Sequence, residues 1–315
     1  MMWNCQFVYI FLVLLSRFVF TKDIVFSFTE GLRENIVLSV DPDDPENVKK
    51  QVDVFFETHA EDKDLLLLEK FIRLSVDRNM QGIQFKRKFG IESTCEGLLS
   101  DADVSIMFTL AYMLLEGVLS LEGVILEGRE KKKERVIGNK EEGEKFLYAE
   151  TGSFLGCSSI LMASILPPES LVYAHDLWVD TSHGEILSEA GLPPKMVDDY
   201  FYVFYDNIRK RGLEKRVIPV RGNSSYTVGI HQPESIDFGF IDGDHSYQGA
   251  MNDLRNMYPL IKPGGILLVH DVVQTSSYQN SVAEAVFEFC KNLVNGLCDN
   301  KIGGTEMVKI YKNEH

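Results

Sequence analysis

Positive charge and cysteine are both scarce in this chain, and each shortage removes a class of function. Lysine and arginine total 32 against 47 aspartates and glutamates, a formal net charge of -15 at pH 7. A field of that sign repels a phosphate backbone, so nucleic acid is not expected as a partner. The one basic run, "REKKKERVIGNK" from Arg129 to Lys140, leads into the acidic "EEGEK" and carries no interleaved aromatics. It reads as a solvated loop or a frayed helix end. Five cysteines in 315 residues (Cys5, Cys95, Cys157, Cys290, Cys298) are too few and too scattered for a disulfide framework, and no C-x-x-C pair suggests zinc. They read mostly as buried thiols, although Cys290 and Cys298 can pair if the fold brings them together in an oxidising compartment.

A membrane-spanning run is also lacking. The leader "MMWNCQFVYIFLVLLSRFVFTKD" has an apolar core from Phe7 to Leu15 that ends at Ser16 and Arg17. That length suits the h-region of a signal peptide better than a span of about 20 apolar residues, although a basic n-region and a clean small-x-small cleavage site are missing. Residues 1–22 therefore predict entry into the secretory pathway, or a membrane anchor if the leader is retained, in preference to the cytoplasm. Membrane contact is expected through this leader alone. The sequon Asn223-Ser224-Ser225 is relevant only to a lumenal protein.

What the chain does have is apolar material: 45% of its residues are hydrophobic, enough for a sizeable core. Residues 23–100 form an irregular extension without legible chemistry, helical around "DKDLLLLEKFIRLSVDR". The apolar stretch from Asp103 to Leu126 is interrupted by Glu116 and Glu122 and predicts a core helix. Beyond the charged loop, short apolar runs alternate with helical patterns. "KFLYAE", "SLVYAHD", "RVIPVRG", "SIDFGFID", "GGILLVHD" and "TEMVKIYK" read as strands, and the intervening segments, including "SYQGAMNDLRNMYPLI" and "SVAEAVFEFCKNLVNG", as helices. Strands separated by helices imply a mostly parallel, doubly wound sheet, because parallel neighbours need a crossover.

Ligands in such sheets bind beyond the carboxyl ends of the strands. Those ends are Glu150-Thr151-Gly152, Asp176, Gly222-Asn223-Ser224, Asp242-Gly243-Asp244-His245 and His270-Asp271, so five strands finish in polar or glycine residues on one rim. In "ETGSFLG", Gly152 and Gly156 permit a sharp turn and close backbone approach ahead of a helix N-terminus. Asp176, one strand later, has the chemistry to accept hydrogen bonds from two ribose hydroxyls. Together they predict a nucleoside-containing cofactor.

These motifs make the sequence similar to the class I S-adenosylmethionine-dependent methyltransferases, and within them to a small-molecule subgroup (methyltransferase family 24-like). The resemblance rests on "ETGSFLGCSS" (150–159), "FIDGDHSYQG" (240–249) and "IKPGGILLVHD" (261–271), with "HDLWVD" and "VRGNSS" in the matching loops. It covers roughly Phe146 to Lys312, and Thr151 replaces the usual aliphatic residue. It implies an α/β, Rossmann-like, doubly wound and mostly parallel seven-stranded sheet with helices on both faces, plus an N-terminal helical extension. The domain would span 101–315, with its sheet core at 146–312. Glu150, Gly152, Ser153 and Gly156 would hold the methionine end of S-adenosyl-L-methionine, Asp176 the ribose, and Asn223 and Ser224 the adenine. Asp242 would face both cofactor and acceptor, with Trp178 either covering the ribose or acceptor pocket or packing at the rim.

Transfer of an already activated methyl group leaves the protein to position the acceptor and remove its proton. Two routes stand open. Asp242 and Asp271, with Asp244 or His270 nearby, offer oxygen-rich ligands to a cation such as Mg2+. Alternatively His245 or His270 acts as general base, in a set of candidate catalytic residues formed by Asp242, His245 and His270. Asp244 also suits the cap of the helix that starts near Ser246.

Other functions fit less of the pattern. A metal-dependent glycosyltransferase would explain "DGD" but neither the glycine turn nor "KPGG" followed by His270-Asp271. A nicotinamide oxidoreductase lacks its G-x-G-x-x-G order, and a non-catalytic relative would not need every acidic strand end. The expected partner is a hydroxylated small molecule or sugar. The segment Thr181 to Phe204, with His183, is a candidate lid. Oligomeric state is open, homo-oligomer included.

Overall fold

The computed structural model describes residues 23–26, 36–39, 45–58, 73, 99–115, 145–179, 200–273, 281–298 and 306–313. The leader, the basic run, most of the helical stretch expected at residues 62–78 and most of the candidate lid lie outside them. Among the described residues, no helix is long and apolar enough to cross a membrane.

The extension is not purely helical as the sequence suggested. It opens with an antiparallel pair, β1 (Asp23–Phe26) and β2 (Ile36–Ser39), followed by helix α1 (Pro45–Thr58). "DIVF" and "IVLS" are β-branched runs too short to stand out against their polar flanks. Helix α2 (Asp101–Leu115) is the first part of the expected core helix, whose remainder to Leu126 lies outside the described residues, and Val104, Ile106, Met107, Leu110 and Leu114 are buried.

The sheet follows: β3 (Leu147–Thr151), α3 (Cys157–Ile165), β4 (Leu171–Asp176), α4 (Phe201–Arg209), β5 (Val217–Arg221), the short α5 (Ser224–Thr227), β6 (Ile236–Ile241), α6 (Tyr247–Met257), β7 (Ile261–Val269), α7 (Val282–Lys291), β8 (Gly296–Cys298) and β9 (Val308–Lys312). The order across the sheet is β5-β4-β3-β6-β7-β9-β8. Strands β5 to β7 are parallel, and β9 runs antiparallel between β7 and β8. β6 is buried along its whole length, as a parallel strand covered on both faces must be. One apolar cluster joins α2, α3 and α4 to one face of the sheet, and a second joins α6 and α7 to the other. The seven-stranded, doubly wound architecture expected from the sequence is the one observed.

Two local readings change. The helical reading through Gly296 ran too far: α7 stops at Lys291, and Gly296–Cys298 turns back as the seventh strand. A disulfide joins Cys290 at the end of α7 to Cys298 in β8. Cys157, the first residue of α3, is also disulfide-bonded. The expectation of mostly free buried thiols is thereby corrected, because spacing along a chain does not reveal which cysteines the fold apposes.

Chain order reverses between β3 and β6. This switch point opens a crevice at the carboxyl ends of the two strands and fixes where a ligand can enter.

Candidate functional site

At the switch point the ends of β3 and β6 are in backbone contact. Asp242 N donates to Thr151 O at 2.9 Å, and Gly152 N donates to His175 O at 2.9 Å, so three strand ends are tied together. Gly152 has φ +86°, and a Cβ there would lie 1.9 Å from Asp242 O. The glycine is therefore required both by its backbone conformation and by the close approach of β6. Gly156, at φ +90°, precedes α3 without a side-chain cap. Its own Cβ would meet the Phe204 ring at 3.0 Å.

Three of the four described non-glycine residues with positive φ sit on this rim: Phe154 (43°), Trp178 (48°) and Asp271 (56°). Strain of this kind persists only where the surroundings impose it, and it concentrates at functional sites.

The structure sorts the residues expected to hold the cofactor into two groups. Asp176 accepts from Phe154 N at 2.8 Å through Oδ2 and from Trp178 N at 2.6 Å through Oδ1, which orients its carboxylate at the end of β4. Glu150 is instead fully buried and accepts from Tyr148 Oη at 2.7 Å and from Ser159 Oγ. Burial raises its pKa, and these hydrogen bonds only partly offset the rise. Glu150 therefore supports the loop from beneath. Ser153 is buried within the loop itself. Asn223 caps α5 by accepting from Ser225 N at 2.9 Å, and Ser224 Oγ turns inward to donate to Asp253 Oδ1 at 2.6 Å. Both residues lie at the end of β5, but their side chains already serve the loop.

Trp178 does not form a lid. It is 1% exposed, donates from Nε1 to Phe154 O at 2.8 Å and packs against Phe201 and Phe204. Asp244 is not the helix cap either. Ser246 caps α6 by accepting from Gly249 N, while Asp244 Oδ1 accepts from Ser246 N in a local turn.

On the other side of the switch point, Asp242, His245, His270 and Asp271 converge. His270 Nδ1 lies 3.2 Å from Asp242 Oδ1 and 3.3 Å from Asp271 Oδ1. Its Nε2 lies 3.5 Å from Asp103 Oδ2, a residue of α2 that sequence reasoning missed. The ring is buried, and burial alone would lower its pKa. The facing carboxylates of Asp103, Asp242 and Asp271 outweigh that effect and raise it to about 12. Both ring nitrogens face carboxylates, an arrangement that favours the charged imidazolium over a neutral ring. That environment favours His245 over His270 as the base. Asp103 and Asp271 are held below the usual carboxylate range because their contacts to His270 overcome burial, whereas burial of Asp242 prevails and raises its pKa.

His245 is the exposed member of the group. Its Nε2 lies 3.0 Å from Asp271 Oδ2 and 4.0 Å from Asp242 Oδ1. One ligand atom from each of Asp242, His245 and Asp271 lies within 4.8 Å of the others, so this is also the donor set that a divalent cation would use. The imidazole in it comes from His245, not from His270. No signal in the sequence could have identified Asp103, which is remote from every motif and reaches the site only through the packing of α2.

Residues 149–272 match a family model described as a methyltransferase domain. This is the segment in which the sequence motifs resemble methyltransferases. A search of curated proteins gave no match. Among solved structures, the O-methyltransferase NovP aligns with 16% identity and a TM-score of 0.46, over 71% of this chain and 88% of its own. A protein from Corynebacterium glutamicum aligns with 12% identity and a TM-score of 0.43, over 78% of this chain and 97% of its own.

Proposed function

We propose that the protein is an S-adenosylmethionine-dependent methyltransferase that methylates a hydroxyl group of a small molecule or sugar. One observation carries this reading: the glycine cradle at Gly152 and the oriented carboxylate of Asp176 lie on the same side of the switch point, with the acidic and histidine cluster opposite them. The residues suit the cofactor in kind, since the turn at Gly152 lets backbone approach a ligand closely and Asp176 places a carboxylate at the end of β4. Bound S-adenosylmethionine supplies a methyl group on a positively charged sulfur, and the products are the methyl ether and a neutral thioether.

His245 removes the proton from the acceptor hydroxyl. Asp271, 3.0 Å from Nε2, orients the ring and stabilises the imidazolium that results. The imidazolium of His270 balances Asp242 and Asp271, a role that a metal fills in other acidic sites. A second reading, in which a divalent cation lowers the hydroxyl pKa, is supported by the spacing of the Asp242, His245 and Asp271 ligand atoms. Two carboxylates and an imidazole suit a transition metal better than Mg2+. A lumenal setting is supported by the disulfide between Cys290 and Cys298 together with the apolar leader.

The test is calorimetric titration of the full chain with S-adenosylmethionine and S-adenosylhomocysteine, followed by transfer of a labelled methyl group to a panel of hydroxylated acceptors. Micromolar binding that Asp176→Ala weakens at least about tenfold supports the proposal. A folded protein that binds neither compound overturns it.

A further inference from the structure

Thr151 is where the first motif departs from its aliphatic pattern, and the structure gives that departure a partner. Thr151 Oγ1 donates to Asp253 Oδ2 at 2.8 Å. The other oxygen of the same carboxylate, Oδ1, accepts from Ser224 Oγ at 2.6 Å. Asp253 belongs to α6 and is 3% exposed. A Cβ at Gly243, in the turn after β6, would stand 3.2 Å from Oδ2, so the carboxylate also lies directly beneath that turn.

A buried carboxylate keeps its place only when its oxygens are supplied with donors. Here each donor comes from a different loop of the rim: Thr151 precedes the glycine turn at Gly152, and Ser224 opens the helix after β5. The Gly243 turn that follows Asp242 packs on the same carboxylate. Asp253 thus bonds the ends of β3 and β5 together and lies under the turn that follows β6.

Resting on the reading of this rim as the cofactor site, we propose that Asp253 is a positioning residue that sets the spacing between the loop for the methionine end and the loop for the adenine. It acts through Thr151 and Ser224 and touches no ligand itself. Thr151 is then a required donor rather than a tolerated substitution. The cofactor spans both loops, so a fixed spacing removes an ordering cost that binding would otherwise carry.

The test compares the full chain with Ser224→Ala, Thr151→Val, the double variant, Asp253→Asn and Ser224→Thr, by calorimetry with S-adenosylhomocysteine and by melting with and without it. Ser224 lies at the rim, so Ser224→Ala leaves the core intact. Each single removal of a hydroxyl is expected to weaken binding about tenfold, and the double variant by much less than the product, because both act through one carboxylate. Ser224→Thr keeps the hydroxyl and restores affinity. The ligand-induced rise in melting temperature shrinks in the alanine and valine variants, which a purely structural loss would not cause. Asp253→Asn, which can still accept from only one hydroxyl through its oxygen, falls between wild type and the double variant. Wild-type binding with all variants within about twofold of it, or losses that multiply independently, overturns the positioning role and leaves the cofactor reading intact. Failure of the wild type to bind overturns both.

Discussion

Acid should loosen this fold at one identifiable point. His175, in the middle of the rim, and His231 are buried, at 0% and 8% exposure, with their Nε2 atoms 3.0 Å apart. Burial lowers both pKa values, to about 3 for His175, where the neighbouring His231 adds to the effect, and to about 4 for His231. The unfolded chain protonates both near the ordinary value of about 6.5. It therefore binds more protons than the folded state below that value, and stability falls as pH drops from about 6.5 toward about 4. Going from about pH 7 to about pH 5, each histidine removes about 2 kcal/mol and the pair about 4 kcal/mol. Domains of this kind have only about 5–15 kcal/mol in total. Urea unfolding followed by fluorescence of the buried Trp178 measures the loss directly. In His231→Gln the slope of stability against pH over that interval should fall by about half. Wild type and variant losing stability in parallel would refute the argument. Gly152 N binds His175 O and Asp176 follows in the chain, so cofactor affinity should weaken with the pair.

Further outcomes follow from the same geometry. Gly152→Ala places a methyl group against Asp242 O and forces a positive φ on alanine, and should abolish S-adenosylhomocysteine binding in calorimetry while circular dichroism still shows the sheet. His245→Ala should lower the rate of methyl transfer by about 10²–10⁴-fold, with a chelator changing the wild-type rate by less than about twofold. The reverse pattern would establish the cation reading. Replacing both Cys290 and Cys298 by alanine opens a link across eight residues and should cost about 2–3 kcal/mol in urea unfolding.

The sheet was legible because its strands are short β-branched runs between helical stretches, and parallel pairing follows from that alternation. The strand ends were legible for the same reason: once the runs are placed, the residues that terminate them share one rim. The directions of the side chains on that rim were not legible. Glu150 and Ser224 stand where a cofactor contact is expected, yet Tyr148, Ser159 and Asp253 draw them inward, and those partners lie 2 to 29 residues away along the chain. Trp178 had two readings in the sequence, and only the burial of its indole against α4 decides between them. The seventh strand was missed because Gly296–Cys298 is three residues long and continuous with a helical pattern. Its pairing with β9 supplies what its composition does not.

Asp103 shows why the segment matched by the family model is not the whole site. It is fixed by a reciprocal cap: Ser100 N and Oγ donate to Asp103 Oδ2 at 2.9 and 2.6 Å, and Asp103 N donates to Ser100 Oγ at 3.1 Å. The same oxygen faces His270 Nε2 at 3.5 Å. A chain cut at residue 149 would lose this carboxylate and also Val104, Ile106, Met107 and Leu110, which cover one face of the sheet. His270 would then face Asp242 and Asp271 alone, with one ring nitrogen free. In Asp103→Asn the amide preserves shape but not charge, so the pKa of His270 should fall from about 12 toward the neutral range. Ring-proton resonances of His270 should show no titration between about pH 6 and about pH 9 in wild type and a downward shift in the variant. A His270 ring that titrates near neutrality in the wild type would mean that the three carboxylates do not hold it charged, and would return it to the list of bases.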